Sequence, residues 1–367
     1  MPEREWILLN PGPANTSRSV RDALVMPDLC HREPEFFEMM RDCRERLVRL
    51  ANCAERFAAV LFTGSGTAAV EAAVCSAVQR DRGVLVVNNG VYGDRLARIA
   101  RVHGIPAEVL SYDVTTPARP ADVEAALRAR PDLSHVAVVH HETTTGLLNP
   151  VMDVTRVAAR VGRRVLIDAM SSLFGEQLDV DADGVDFVMA RANKCLQGVP
   201  GFVLGRRSAL EALAGQPPRS VYLDLHGHYV TQERDNTPFT PAVQVLHAMR
   251  QALVELEAEG VARRIARYAE NALVLRRGMA ALGFEILVPE GGRSSILTTF
   301  RLLPGLAYDP LHDAMKRRGY VIYAGQGDIR TYAFRVSNMG TLTPGDMEGV
   351  VDAFRASLSE LAVGVRL

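Results

Sequence analysis

Short apolar runs alternate with amphipathic stretches along the first two thirds of the chain, beginning with residues 58–62 and then 67–79. The first reads as a strand and the second as a helix, because strands pattern with period two or as continuous apolar runs while helices pattern near 3.6. Further strand candidates are 84–87, 107–110, 135–140, 164–168, 186–189 and 201–204, and helical patterns fill most of the gaps between them. Continuous apolar strands alternating with helices predict an α/β fold with a mainly parallel sheet covered on both faces.

The rhythm changes after Pro241, where residues 243–282 read as long helices. Beyond them, an extended run at 294–302, a helix at 308–318, a strand at 333–337 and a helix at 344–361 form an α+β set. The expected organisation is an N-terminal segment 1–14, a large domain 15–270 and a small C-terminal domain 271–367.

Composition narrows the function classes. With 367 residues, 48% hydrophobic and 23% charged, the chain can bury a large core, and its net charge of −1 offers no excess for nucleic acid or an anionic membrane. Small molecules and further copies of the chain are the expected partners. No uninterrupted apolar run approaches membrane-spanning length, and the N-terminus lacks a long apolar segment after a basic start, which points to the cytoplasm. Five cysteines, Cys30, Cys43, Cys53, Cys75 and Cys195, are scattered without metal-type spacing and read as reduced thiols.

Four constellations follow strand candidates, and in open α/β sheets ligands bind beyond the carboxyl ends of the strands. Thr63-Gly64-Ser65-Gly66-Thr67 joins a strand to a helix, so its glycines, hydroxyls and first helical N–H groups suit an anion; the same string also serves as an ordinary capped turn. Asn89-Gly90-Val91-Tyr92-Gly93-Asp94 offers Tyr92 either as a stacking ring or as a plug at a helix start. His140-His141-Glu142-Thr143-Thr144-Thr145-Gly146 clusters hydroxyls, while its adjacent histidines, pointing to opposite faces of an extended chain, do not chelate one metal jointly. Finally, Asp168 ends an apolar run 26 positions before Lys194, which lies in a loop rich in glycine and proline. A carboxylate at the end of a buried strand calls for a cationic partner, such as a protonated pyridine nitrogen, and an approachable amine can capture an aldehyde.

These residues resemble the fold type I, class V pyridoxal phosphate aminotransferases, and within them the branch acting on 2-aminoethylphosphonate and pyruvate. The resemblance runs through Leu8-Leu9-Asn10-Pro11-Gly12-Pro13, Leu29-Cys30-His31-Arg32-Glu33-Pro34-Glu35-Phe36, Gly64-Ser65-Gly66-Thr67 and Asp168-Ala169-Met170-Ser171-Ser172. It continues in Ala192-Asn193-Lys194-Cys195-Leu196-Gln197-Gly198-Val199-Pro200-Gly201-Phe202, the run most specific to the phosphonate branch, and in Phe334-Arg335-Val336-Ser337-Asn338-Met339-Gly340.

The resemblance implies pyridoxal 5'-phosphate as cofactor, with Lys194 as the cofactor-linking amine, Asp168 on the pyridinium nitrogen and Tyr92 stacked on the ring. It further implies that Ser65, Gly66 and Thr67 bind phosphate, Thr143 contacts the ring hydroxyl, and Arg335 holds the substrate carboxylate. Asn10 and its neighbours up to Ser17 would assist with the second anion; His31, Arg32 and Arg330 read as more peripheral. In a homodimer, Thr240 or Thr237 would complete the phosphate site of the other subunit. The implied reaction moves the amino group of 2-aminoethylphosphonate to pyruvate, giving phosphonoacetaldehyde and L-alanine. The rival readings are an alanine:glyoxylate or serine:pyruvate aminotransferase, a cysteine desulfurase, from which Asn193 departs, and a regulatory module that binds the cofactor without turnover.

Overall fold

Seven strands form the central sheet of the computed structural model, which describes residues 6–362. In chain order they are β1 (Phe57–Phe62), β2 (Gly83–Asn88), β3 (Ala107–Ser111), β4 (Leu133–Val139), β5 (Arg164–Asp168), β6 (Val185–Arg191) and β7 (Gly201–Arg206). They lie side by side in the order β1-β7-β6-β5-β4-β2-β3. The pairs from β3 to β6 are parallel, and β7 runs antiparallel to both of its neighbours, so it alone is reversed.

The continuous apolar runs are explained by burial on both faces. Leu85 and Val87, with Val136, Val138, Val165 and Ile167, enter one core, while Val84 and Val86, with Ala137, Val139, Leu166 and Met189, enter the other. Helices α1 (Pro34–Leu50), α4 (Pro120–Ala129) and α5 (Val151–Arg160) cover the first face; α2 (Gly66–Ala77) and α3 (Val91–Val102) cover the second. One reversed strand has a consequence for chemistry: the carboxyl ends of β1, β2, β4, β5 and β6 all open on the same edge, where β7 begins.

The long helical stretch after Pro241 is two helices, α6 (Val243–Glu259) and α7 (Val261–Ala281). They divide at Gly260, whose φ of 84° is a left-handed geometry that glycine adopts without steric cost. Beyond α7, strands β8 (Leu297–Arg301), β9 (Tyr323–Ala324) and β10 (Ala333–Ser337) form an antiparallel sheet in the order β8-β10-β9. The extended run expected at 294–302 begins as a strand only at Leu297, because the Ser294 hydroxyl takes the Ile296 N–H at 3.1 Å and turns the chain first. Helices α8 (Tyr308–Arg317) and α9 (Pro344–Glu360) pack on this sheet, and Thr343 with Asp346 forms a capping box at the start of α9.

Two connections tie this C-terminal layer to the edge where β7 begins. The strand Ile7–Leu8 pairs in parallel with Tyr320–Val321, and Leu9 enters the C-terminal core beside Leu275 and Phe334. Helix α7 buries Leu275 and Met279 in that core, while Arg264 and Tyr268, nearer its start, reach the loop that carries Lys194.

Candidate active site

Lys194 sits in the turn between β6 and β7, and that turn is pinned from several sides. Gly198 N–H donates to Ala192 O at 2.7 Å, Gln197 adopts a left-handed φ of 64°, and Arg264 donates to Cys195 O at 2.9 Å. The Gln197 amide donates to Tyr268 Oη at 2.9 Å, and Ala14 N–H bonds Asn193 O at 3.0 Å. The lysine is thereby fixed by its backbone while its half-buried side chain enters a space beside the N-terminal segment, where Nζ donates to the Pro11 carbonyl. Gly12 lines that space with a φ of 116°, and a Cβ there would overlap the end of the Lys194 side chain. Burial lowers the Lys194 pKa to about 8, with the charges of Arg191 and Arg335 acting in the same direction.

Asp168 ends β5 at 4% exposure, and one oxygen accepts Met170 N–H at 2.9 Å. It forms no ion pair among the described residues, and burial raises its carboxyl to about 6 despite the opposing charges of Arg95 and Lys194. This is a buried acid prepared for a cation. Asp168 closes β5 and Lys194 follows its parallel neighbour β6, so both lie at the same edge of the sheet.

Ser65 is the N-cap residue of α2, yet its hydroxyl makes no capping bond and is exposed. The ordinary capped turn would use that hydroxyl on the helix; here it stays uncommitted beside the first helical N–H groups. Gly66 is required by proximity: a Cβ would run into Met170 and come within 3.2 Å of the Arg191 Cβ. Thr67 Oγ1 accepts from Arg95 at 3.4 Å, and the Arg95 guanidinium lies 4.6 Å from the Tyr92 ring centre.

Tyr92 is held through Glu142, a residue the pattern of the sequence did not single out. The fully buried Glu142 carboxylate accepts the N–H of Tyr92 at 3.2 Å, of Gly93 at 3.4 Å and of Thr144 at 3.0 Å, and the Thr144 hydroxyl at 2.6 Å. It thus caps α3 from another strand end, a long-range version of what a local Ser or Asp does. Burial still raises its carboxyl to about 6. The signal was available, since Glu142 follows an apolar strand as Asp168 does.

His140 and His141 are each tied by Nδ1 to a different serine, Ser172 and Ser171, both at 3.0 Å. Burial pushes both imidazoles down, His140 to about 4, and His141 Nε2 has no hydrogen-bond partner. Thr143 is buried, and its carbonyl accepts from Arg335 at 2.8 Å. Arg335, from β10, also donates to Ala324 O at 2.9 Å and Gln326 Oε1 at 3.1 Å, and it meets no carboxylate within ion-pair distance among the described residues. Asn10 is buried, with its amide spent on Pro13 O at 3.1 Å, so its described bond shapes the turn beside Lys194. Of the more distant candidates, Arg32 is tied to Asn236 and Thr237, and Arg330 is exposed. Thr237 is buried with an unpartnered hydroxyl, whereas Thr240 is exposed. The Cys195 thiol is buried, donates to Ser171 O at 3.2 Å and is pushed up by desolvation, the opposite of an activated nucleophile.

Comparison with known proteins bears on this arrangement. Residues 19–326 match the family described as aminotransferase class-V. A 2-aminoethylphosphonate–pyruvate transaminase of Syntrophobacter fumaroxidans is 43% identical over 364 residues, with 97% of each chain covered. Among solved structures, an aspartate aminotransferase of subgroup IV from Thermus thermophilus aligns with a TM-score of 0.88 at 30% identity, covering 97% of this chain and 99% of the other. An alanine–glyoxylate aminotransferase from Nostoc sp. aligns with a TM-score of 0.91 at 25% identity, covering 98% and 96%. With the match spanning the sheet, the cradle and the lysine loop alike, the chain belongs to the aminotransferase class-V family.

Proposed function

We infer that the protein transfers the amino group of 2-aminoethylphosphonate to pyruvate, releasing phosphonoacetaldehyde and L-alanine. The observation that carries this reading is the coincidence of the Asp168 and Lys194 site with 43% identity, over 97% of the chain, to a relative named for that reaction.

The residues present fit pyridoxal phosphate. A buried carboxylate without a cation, an uncommitted N-cap hydroxyl, an orphaned imidazole nitrogen at His141 and a buried amine of lowered pKa are each costly or idle by themselves, and each suits one part of that molecule. When bound, the cofactor supplies an aldehyde carbon for amines and a ring that accepts electron density. Ser65, Gly66 and Thr67 would hold its phosphate, Tyr92 would stack on the ring, Thr143 would meet the ring hydroxyl, and Asp168 would keep the ring nitrogen protonated.

Lys194 is the proton carrier. Burial brings its pKa down to about 8, so the neutral form is within easy reach, and that neutral amine can take a proton from the substrate carbon that bears nitrogen and hand it on within the same half-reaction, the reverse transfer serving the half that forms alanine. Arg335 keeps its charge unpaired among the described residues and its Nη2 free of described bonds, suited to the pyruvate carboxylate and, in the other half-reaction, to the phosphonate. The backbone near Pro11 and Gly12 encloses the amine and limits the water around it. We assign the protein to the cytoplasm, as a homodimer in which Thr240 reaches the phosphate site of a second copy. Its exposure, next to the exposed Phe239 and Tyr222, whose rings lie 5.2 Å apart, supports that placement over the buried Thr237.

Steady-state donor profiling tests the proposal. With pyruvate as acceptor, 2-aminoethylphosphonate should yield equimolar phosphonoacetaldehyde and L-alanine, well ahead of serine. Efficient turnover of alanine with glyoxylate, and none of the aminophosphonate, would place the protein with the alanine:glyoxylate enzymes.

A further inference from the structure

Arg191 ends β6 three positions before Lys194, opposite Gly201 in the antiparallel register with β7. That corner lies directly against the anion cradle. A Cβ on Gly201 would come within 2.9 Å of Ser65 O and 3.2 Å of Gly66 Cα, and one on Gly66 within 3.2 Å of the Arg191 Cβ. The guanidinium itself is barely used, its one described bond running from Nε to Val199 O at 3.3 Å.

Arginines buried elsewhere in this protein find compensation. Arg264 meets Glu259 at 2.7 Å, Arg44 pairs with Glu233, and Arg206 fills two carbonyls at 2.8 Å each. Arg191 is only partly exposed and forms no ion pair among the described residues, so it is partly desolvated without an anion, an arrangement that costs free energy unless something negative arrives. It closes the strand from which the Lys194 turn departs, and its charge helps to lower the pKa of that lysine. Arg95 also approaches the cradle, but one of its terminal nitrogens already donates to Thr67 and its guanidinium lies over the Tyr92 ring, whereas neither terminal nitrogen of Arg191 makes a described bond.

We propose that Arg191 holds the phosphate of the bound cofactor, acting with Ser65, Gly66 and Thr67. This rests on the pyridoxal phosphate reading above. A forked, permanently charged donor on the strand end would anchor a dianion more firmly than hydroxyls and helix N–H groups alone, and it would do so beside the lysine that carries the chemistry.

Equilibrium dialysis of the cofactor-free protein against pyridoxal phosphate and, separately, against pyridoxal lacking the phosphate tests the assignment without any turnover. Arg191→Ala should weaken pyridoxal phosphate binding by roughly 10- to 100-fold, the loss expected for a charge-assisted hydrogen bond, and change pyridoxal binding less than about twofold. Arg191→Lys, which keeps the charge and loses the fork, should fall between. Equal weakening of both ligands would mean a merely structural role, and an unchanged pyridoxal phosphate affinity would remove Arg191 from the phosphate site; either result overturns the proposal. Failure of the unmodified protein to take up pyridoxal phosphate would instead overturn the proposed function itself.

Discussion

Arg335 donates to the carbonyl oxygen of Thr143 at 2.8 Å, so a side chain from the C-terminal sheet is locked onto the hydroxyl-rich turn beyond β4. With Ala324 O and Gln326 Oε1 as its other acceptors, the guanidinium is held by neutral groups alone, which fixes its plane and leaves its charge for a substrate anion.

Arg335→Lys keeps the charge and loses that geometry. We predict a rise of at least about tenfold in the KM for pyruvate, the loss expected when a charge-assisted hydrogen bond held in a fixed plane is lost. Steady-state kinetics at saturating amine donor measure it, and an unchanged KM for pyruvate removes Arg335 from carboxylate binding.

Lys194→Ala should abolish turnover while cofactor remains bound through the phosphate cradle. In the unmodified protein the neutral amine is the reactive form, and burial lowers its pKa to about 8. Covalent capture of added pyridoxal phosphate by the cofactor-free protein should therefore accelerate as pH rises through about 8, not near the ordinary lysine value. A rate still climbing in proportion to hydroxide up to pH 10 would count against a buried, uncharged amine.

Asp168 has a raised folded-state pKa in the cofactor-free protein, so its contribution to stability is full below the ordinary carboxyl pKa and is lost as pH rises through about 6. Asp168→Asn should accordingly stabilise the cofactor-free protein by about 3 kcal/mol at pH 8 and by only about 1 kcal/mol at pH 4.5, while destroying activity. Denaturant titrations at the two pH values read the difference, and equal effects at both would show that the carboxylate is not penalised by burial.

Glu142→Ala strips the acceptor from three backbone N–H groups and one hydroxyl, those of Tyr92, Gly93 and Thr144. The expected cost is on the order of 3 kcal/mol, with weaker cofactor binding because Tyr92 loses its anchor. Thermal unfolding and cofactor titration on the same variant check both effects. A stable variant with full cofactor affinity would show that Tyr92 is positioned by other means.

The sheet was legible because its strands, apart from the exposed edge strand β3, are buried on both faces, which leaves continuous apolar runs such as 84–87 and 187–189. The edge that carries the candidate site was visible for a related reason: chemistry-bearing residues gather where those runs end, at Thr63, Asn89, His140 and Asp168, and in the loop that holds Lys194. Three features were not. The reversal of β7 depends on a turn held by a left-handed Gln197, a residue type that does not advertise that conformation, and by bonds from the distant Arg264. Glu142 acts on residues 50 positions earlier, a relation no local pattern reports. The enclosure of Lys194 by Gly12 joins segments separated by most of the large sheet, and only the closeness of the two backbones reveals why a side chain is excluded there.

The central claim is that this site removes the amine from an aminophosphonate. It is tested most directly by mixing cofactor-loaded protein with 2-aminoethylphosphonate alone and following cofactor absorbance. The prediction is loss of the lysine-linked band, formation of one equivalent of phosphonoacetaldehyde per site, and full recovery of the band when pyruvate is added. A band that persists with 2-aminoethylphosphonate but disappears with alanine or serine would contradict the claim.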